Sequence, residues 1–372
     1  MLQPPQSLPW RDHKRAFWPL GCVAMLLPVL GLGLHAHTGM RLWHWFTLLV
    51  VFVAIPILDH LLGEDTSNPP ETDVPRLEAD RYYRTLVRLA VVAEFCSLVV
   101  CAQAAAQPDL PWLDYLGLSL SLAIVTGTSI NTAHELGHKA SKLERFLAQL
   151  ALAPTGYGHF CVEHNYGHHK RVATPEDPAS SRLGETFWQF YPRVVIGGIA
   201  SGWHLERERL ARHGLPAWHW RNQIVQSWAM TLAIWAALLA WQGLLILPLL
   251  LAQALFGSQL LEVVNYIEHY GLLRQKRADG GYERCLPEHS WNSNRRVTNV
   301  FLYQLQRHSD HHANPSRSYQ SLRHFASAPQ LPQGYATMIL VAYVPWLWFR
   351  IMDPRVSAHY GGDLSLANRL AP

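Results

Sequence analysis

Residues 110–139 read "LPWLDYLGLSLSLAIVTGTSINTAHELGHK", an apolar run that closes on a histidine pair. A bilayer core takes about 20 residues of apolar helix. Counted from Trp112, such a span ends near Thr132. It carries His134 and His138 just past one membrane face, and their i, i+4 spacing sets both rings on one side of the helix.

By the same length criterion, spans are expected at 17–36, 42–62, 85–106, 112–133, 224–242 and 244–266. The first apolar run is long and lacks a small-residue cleavage site, so it reads as a transmembrane helix and not a cleaved signal. A further stretch, "YATMILVAYVPWLWFRIMDP" from Tyr335, is short and broken by Pro345, and reads as an interfacial helix. Basic residues set the orientation. Arg11, Lys14 and Arg15 precede the first span, and Arg76, Arg81 and Arg84 lie between the second and third. The segment 134–223 and the tail after 270 are rich in Lys and Arg, whereas the opposite connections hold almost none. The positive-inside rule places both termini and all long polar segments in the cytoplasm. The expected fold is an all-α integral membrane protein with six transmembrane helices and a cytoplasmic helical cap. Residues 1–133 hold helices one to four, 134–223 a cytoplasmic segment, 224–268 helices five and six, and 269–372 a cytoplasmic C-terminal segment.

Composition agrees: of 372 residues, 49% are hydrophobic and 16% charged. A net charge of +4 without a Lys/Arg tract argues against a nucleic-acid partner. The five cysteines form no C-x-x-C pair, which argues against a disulfide framework, a zinc ribbon or a rubredoxin-type iron site within the chain. Histidine is the residue in excess, at 21 copies.

Four segments concentrate it. "HELGHK" supplies His134 and His138, and "EHNYGHHK" supplies His164, His168 and His169. "NYIEHYG" supplies His269, and "LQRHSDHH" supplies His308, His311 and His312. The sixth span ends at "NYIEHYG", so the motifs meet on one face. Nine imidazoles divide naturally between two metal ions of four or five nitrogens each, with iron, copper, zinc and nickel all suited. "HELGH" matches a zinc-protease pattern, but three ligands would satisfy such an enzyme and leave six histidines without a purpose. Glu135, Glu163, Glu268 and Asp310, inside the motifs, and Asp177 are candidates to orient the metal-binding rings. Asp59, Glu64 and Glu262 are weaker ones, and His60 and His159 lie near enough to the motifs to stay open. Glu94, within the third span, has to be protonated or paired. Most remaining histidines read as ordinary polar-belt residues.

Together the four motifs resemble those of the AlkB-type membrane alkane 1-monooxygenases. "DHLLGEDTSNPPE", "LPWLDYLGLSLS" and "HSWNSN" extend the likeness, which runs from about residue 20 to 350. The resemblance implies a non-haem diiron site with all nine histidines as ligands and O2 as co-substrate. It also implies terminal hydroxylation of medium-chain n-alkanes in a bacterial inner membrane. Electrons are expected from rubredoxin, reduced by an NADH-dependent rubredoxin reductase, since no rubredoxin domain is fused here. Tyr166 departs from the family pattern without loss of a ligand. A channel among the helices would receive the substrate from the membrane lipid, and Trp43 and Trp45, near the outer end of the second span, are candidates to close it. The rival reading makes them aromatic-belt anchors. A basic patch drawn from Lys170, Arg171, Arg295, Arg296, Arg307 or Arg317 is the candidate rubredoxin surface, with a phospholipid-facing basic belt as the equally weighted alternative. A methyl hydroxylase of the xylene-monooxygenase type and a fatty-acyl desaturase or hydroxylase are the enzymatic alternatives. A membrane metal carrier would need more polar residues within the spans.

Overall fold

The computed structural model describes residues 10–370, so the two chain ends, expected in the cytoplasm, lie outside the described residues. Helices dominate, and among the described residues only isolated β-bridges interrupt them. Five helices are long and apolar enough to cross a membrane, or up to seven if each of two bent pairs counts as one span.

The first expected span is such a pair. α1 (Pro19–Met25) and α2 (Leu27–Thr38) meet at 61° around Leu26. Pro28 cannot donate to the carbonyl of Ala24 and its ring crowds that turn, which breaks the helix. α3 (Arg41–Leu62) is continuous but holds a π-turn at Val50–Ala54. Pro56 is the cause, because it cannot donate to Phe52 and the preceding turn widens to compensate. α4 (Arg81–Ala105) and α5 (Trp112–Gly137) follow, the first capped by Asp80 accepting from the Tyr82 amide.

Between the spans lie α6 (Lys142–Leu152), a helical run α7 (160–171) and α8 (Phe187–Ala211). The sequence reading named no helix of that length here; α8 opens on a Thr186–Gln189 capping box, a purely local device. α9 (Gln223–Gln242) and α10 (Leu244–His269) complete the long apolar helices. The short helices α11 (Arg296–Phe301) and α12 (His308–Ala313) precede the second bent pair, α13 (Tyr335–Ala342) and α14 (Pro345–His359), at 119°. Pro345 holds Val344 extended at φ −113°, so this stretch is two helices and not a straight span.

α3, α5 and α10 all end on one face, where the long polar segments lie, and the opposite connections are short. α5 is the central helix and packs directly on α10. A Cβ built at Gly127 would lie 2.8 Å from the Gly257 carbonyl oxygen, and one at Gly257 2.9 Å from Thr126 Oγ1. Small residues there let two backbones touch without a hydrophobic drive between helices. Gly127→Ala must push against backbone, so it is expected to destabilise the protein by about 1–3 kcal/mol. A thermal unfolding midpoint in detergent equal to that of the parent would contradict this contact. Glu94 finds its partner in the same bundle: the Ser129 hydroxyl donates to its Oε2.

Candidate metal centre

α5 runs one turn beyond its apolar part and presents His134 and His138 at its end. α10 does the same with His269. α7 and α12 cross above these ends. α7 carries a π-turn at His164–His168, which widens the helix by one residue. His164 and His169, five apart and about 140° out of phase in a regular α-helix, are thereby brought onto one side. Gly167 permits the turn, since a Cβ there would lie 2.5 Å from both Glu163 Oε1 and the Arg171 guanidinium.

The nine histidines form two groups. His134, His138, His164, His169 and His311 direct one nitrogen each to a common point, and His168, His269, His308 and His312 do so beside it, with all such nitrogens of a group within 4.8 Å of one another. Adjacent residues split between groups on both crossing helices, His168 from His169 and His311 from His312. Within the first group, Nε2 of His311 lies 2.8 Å from that of His134 and 3.0 Å from that of His169, itself 3.0 Å from His164 Nε2. Within the second, His308 Nε2 lies 2.9 Å from His312 Nε2 and 3.2 Å from His269 Nε2.

These separations suit a shared metal ion. Two nitrogens each about 2.1 Å from one metal and at right angles to each other are about 3.0 Å apart. Hydrogen bonding alone does not satisfy the set, because a neutral imidazole carries one N–H and one acceptor nitrogen, whereas His311 Nε2 faces two other Nε2 atoms at once. Among the described residues, His138 Nε2 and His168 Nε2 are buried without a hydrogen-bond partner. The residues present therefore fit two metal ions, one with five nitrogens and one with four.

Electrostatics explains how so many imidazoles coexist. Burial disfavours the imidazolium at His138, His164, His169, His308, His311 and His312, and their neighbours' charges push the same way, so all six titrate below the ordinary histidine range. At His168 burial also lowers the pKa, but the Asp177 charge and hydrogen bond outweigh it and the net shift is upward. The six lowered groups bind protons more readily unfolded, near an ordinary pKa of about 6.5, than folded. Stability is therefore expected to fall as pH drops through that value, read as the unfolding midpoint of metal-free protein. A midpoint that held steady or rose on acidification would oppose the burial of neutral rings.

The expected carboxylates divide. Asp177 Oδ2 lies 2.9 Å from His168 Nδ1 and also accepts from the Ser180 hydroxyl. Glu268 Oε2 lies 3.2 Å from His308 Nε2, the nitrogen turned into the group of four, so it faces the candidate metal position and does not hold the ring from its far nitrogen; its Oε1 accepts from Tyr335 at 2.8 Å. The other three do not meet a histidine. Glu135, a third of a turn from the His134/His138 face, pairs with Lys139 at 3.0 Å. Glu163 accepts from Arg171 and from Ser201 of α8, and Asp310 accepts from Asn314, Arg317 and the Arg323 amide. These brace the ligand-bearing helices from behind. Asp59 caps α11 by accepting from the Val297 and Thr298 amides, and Glu262 accepts from Tyr157 and Asn265. His159 is buried outside both groups, and His60 is exposed. Tyr335, within the stretch read as interfacial, had no sequence signal to mark it.

The expected basic patch disperses. Arg307 is 1% exposed, its guanidinium donating to the carbonyls of Asp65, Ser67 and Leu322. Arg171 and Arg317 are engaged by Glu163 and Asp310, and Arg295 is half-buried beside Glu64. Lys170 and Arg296 remain exposed, and Lys170 adjoins His169, which with His138 is only half-buried.

Below the histidines lies an apolar cavity of ≈ 80 Å³. Its wall includes Asn131, Val264 and Leu305, each within five residues of a clustered histidine on the same chain segment. Two of its polar groups are engaged elsewhere: Asn131 Nδ2 donates to the Leu302 carbonyl at 2.8 Å, and the Thr298 hydroxyl donates to Asp59. Leu260 also borders a more open apolar crevice of ≈ 310 Å³ lined by Phe52, Ile124 and Phe256, further from the histidines along α5. Trp43 and Trp45 line neither space. Trp45 packs on Gly117, and Trp43 donates to Thr38 at 2.9 Å.

Residues 110–342 match the model of the fatty acid desaturase family. A relative from Acinetobacter baylyi named alkane 1-monooxygenase is 47% identical over 363 residues, covering 96% of this chain and 88% of its own. The chain belongs to the alkane 1-monooxygenase family. A second member, from Ectopseudomonas oleovorans, is 48% identical over 95% of this chain and 88% of its own. More distant is the xylene/toluene monooxygenase hydroxylase component XylM of Pseudomonas putida, 28% identical over 64% of each chain. The long likeness to alkane 1-monooxygenases covers every histidine motif, both crossing helices and the cavity beneath them.

Proposed function

We propose that this chain hydroxylates the terminal methyl of medium-chain n-alkanes to 1-alkanols. It would use O2, two iron ions held by the nine histidines, and electrons from rubredoxin and its NADH-dependent reductase. The observation that carries the reading is the dry apolar cavity ending against two converged groups of imidazoles, in a chain of this family. Iron, when bound, supplies the redox change that C–H hydroxylation by O2 demands and that zinc lacks. In balance, one oxygen atom enters the C–H bond and the other leaves as water, with two electrons and two protons consumed.

The chain's own residues hold, orient and dry the site. His134, His138, His164, His169 and His311 would hold one iron, and His168, His269, His308 and His312 the other. Asp177 fixes the His168 ring from its far nitrogen, and Tyr335 fixes Glu268. The cavity would receive an apolar chain end-on toward the histidines, its lining being mostly apolar side chains. Six spans with both termini and the metal site on the cytoplasmic side of a bacterial inner membrane fit the charge distribution. Rubredoxin would approach where His138 and His169 are half-exposed, beside Lys170.

Leu260 borders both the cavity and the crevice, so a longer chain must pass it. Leu260→Trp is expected to lower dodecane oxidation more than hexane oxidation, by about tenfold in relative kcat/KM. Equal losses on both substrates would remove Leu260 from the path.

The reading is tested by supplying iron-loaded protein in lipid with rubredoxin, reductase and NADH. Octane, dodecane, p-xylene and a fatty-acyl substrate are offered together and products identified by mass spectrometry. Primary alkanols support it. A benzylic alcohol as the dominant product would move the substrate class toward that of the xylene enzyme, and a new double bond would make the chain a desaturase.

A further inference from the structure

A second, larger space lies on the histidine-bearing side of the apolar cavity. Among the described residues, a cleft of ≈ 680 Å³ opens between the chain's first turns, the end of α3 and α11. Its floor is apolar, formed by Leu20, Val297 and Val300, and the exposed Leu58 and Leu62 carry the apolar lining out to the surface. Its rim is polar, formed by Lys14, Asp65, Ser67 and Arg296, with Lys14 Nζ 2.9 Å from Asp65 Oδ2.

The cleft and the buried cavity are consecutive storeys on the same three helices. On α1, Leu20 faces the cleft and Ala24, one turn on, faces the cavity. On α3, Leu62 and Leu58 face the cleft and Ile55 and Val51 the cavity. On α11, Val297 and Val300 face the cleft and Thr298 the cavity, while Phe301 lines both. Phe301 is half-buried, and it is the side chain common to the two walls. The backbone of that wall is held at its start by Asp59, and just beyond its end Gln304 accepts from Lys14 and donates to the Tyr319 carbonyl. The Phe301 ring therefore stands where the two spaces adjoin.

We propose that this cleft is the exit for the product, a primary alkanol, with Phe301 as the gate. The inference rests on the terminal-hydroxylation reading. An alkane gains nothing from a polar rim and remains in the apolar cavity and crevice. The alkanol is made with its hydroxyl at the histidine end of the cavity whose wall Phe301 shares. Past that ring the hydroxyl meets the Lys14, Asp65, Ser67 and Arg296 rim, and the chain follows onto the apolar floor. Substrate thus enters and product leaves the reaction chamber by different doors because only the product is amphipathic.

The test is photolabelling of the full-length protein in lipid with a long-chain 1-alkanol carrying a diazirine, followed by peptide mapping. Label is expected on Leu58, Leu62, Val297 or Val300, displaced by 1-dodecanol and not by dodecane. Label elsewhere, equal displacement by both competitors, or displacement by phospholipid alone would overturn the proposal; the last would make the cleft a lipid seat. Kinetics supply a second measure. Val297→Trp, which fills the floor, is expected to give a burst of about one alkanol per active site followed by turnover slowed at least about fivefold. A variant that slows without a burst, or does neither, would count against an exit there. A parent enzyme that makes no alkanol from alkane would instead sink the hydroxylation reading, and the labelling pattern would stand apart from it.

Discussion

Alanine at His312 is expected to abolish alkane oxidation and to lower bound iron from about two ions to about one per chain, with membrane insertion unchanged. The expectation comes from geometry. His312 Nε2 is 2.9 Å from His308 Nε2 and belongs to the group of four, the smaller of the two. Removing it leaves three nitrogens, and no other clustered histidine can replace it because its neighbour His311 is committed to the group of five. The side chain is buried at the surface of a short helix and carries no hydrogen bond that holds the bundle, so the fold loses little. His159→Ala is the matched control: also a buried histidine near the motifs, but in neither group. Iron analysis of membranes bearing each variant decides the matter. Two irons retained in His312→Ala, or equal iron loss in His159→Ala, would refute the assignment of His312 as a ligand.

The second large effect concerns a residue that touches no metal. Asp177→Ala is expected to reduce iron affinity and turnover by about 10- to 100-fold. Asp177 is fully buried and its Oδ2 lies 2.9 Å from His168 Nδ1, which fixes the ring so that Nε2 points into the group of four. Asp177 is itself held by the Ser180 hydroxyl at 2.6 Å and by the Ala179 amide at 3.2 Å, so the carboxylate is rigid before any metal arrives. Loss of the carboxylate frees the ring and removes the charge that makes its far nitrogen a better donor. Asp177→Asn keeps an acceptor oxygen but not the charge, and should fall between the two. Iron titration with a competing chelator separates these cases. An alanine variant with parental affinity would reduce Asp177 to a loop-stabilising residue.

How much of this could be read from the chain alone follows from what is local and what is not. The length of an apolar run, the basic character of its flanks and the spacing of two histidines on one helix turn are properties of neighbouring residues. The all-helical class with several apolar spans, the meeting of the four motifs on one face and the clustering of the nine histidines were therefore legible in the sequence. So was the break at Pro345, because a proline constrains the residue before it. The bend at Leu26 was equally local in cause, through Pro28, and was missed because hydropathy registers length and not direction.

The allocation of ligands was a different matter. His164 and His168 have the i, i+4 spacing of a pair, yet the π-turn gives His164 to His169 and sends His168 to the other group. Glu135 and Asp177 looked alike as carboxylates near histidines, but helix phase turns Glu135 toward Lys139 while a loop brings Asp177 back onto His168. The cavities were illegible for the same reason, since Leu20, Leu58 and Val297 become neighbours only when three helices pack. Sequence by itself determined which histidines cluster and that they gather on one face, because short-range hydrophobicity and helix periodicity suffice for that. Only the tertiary structure decided how nine histidines divide into five and four, which carboxylate meets them and where the cavities lie, because those depend on helix phase, loop path and side chains brought together by packing.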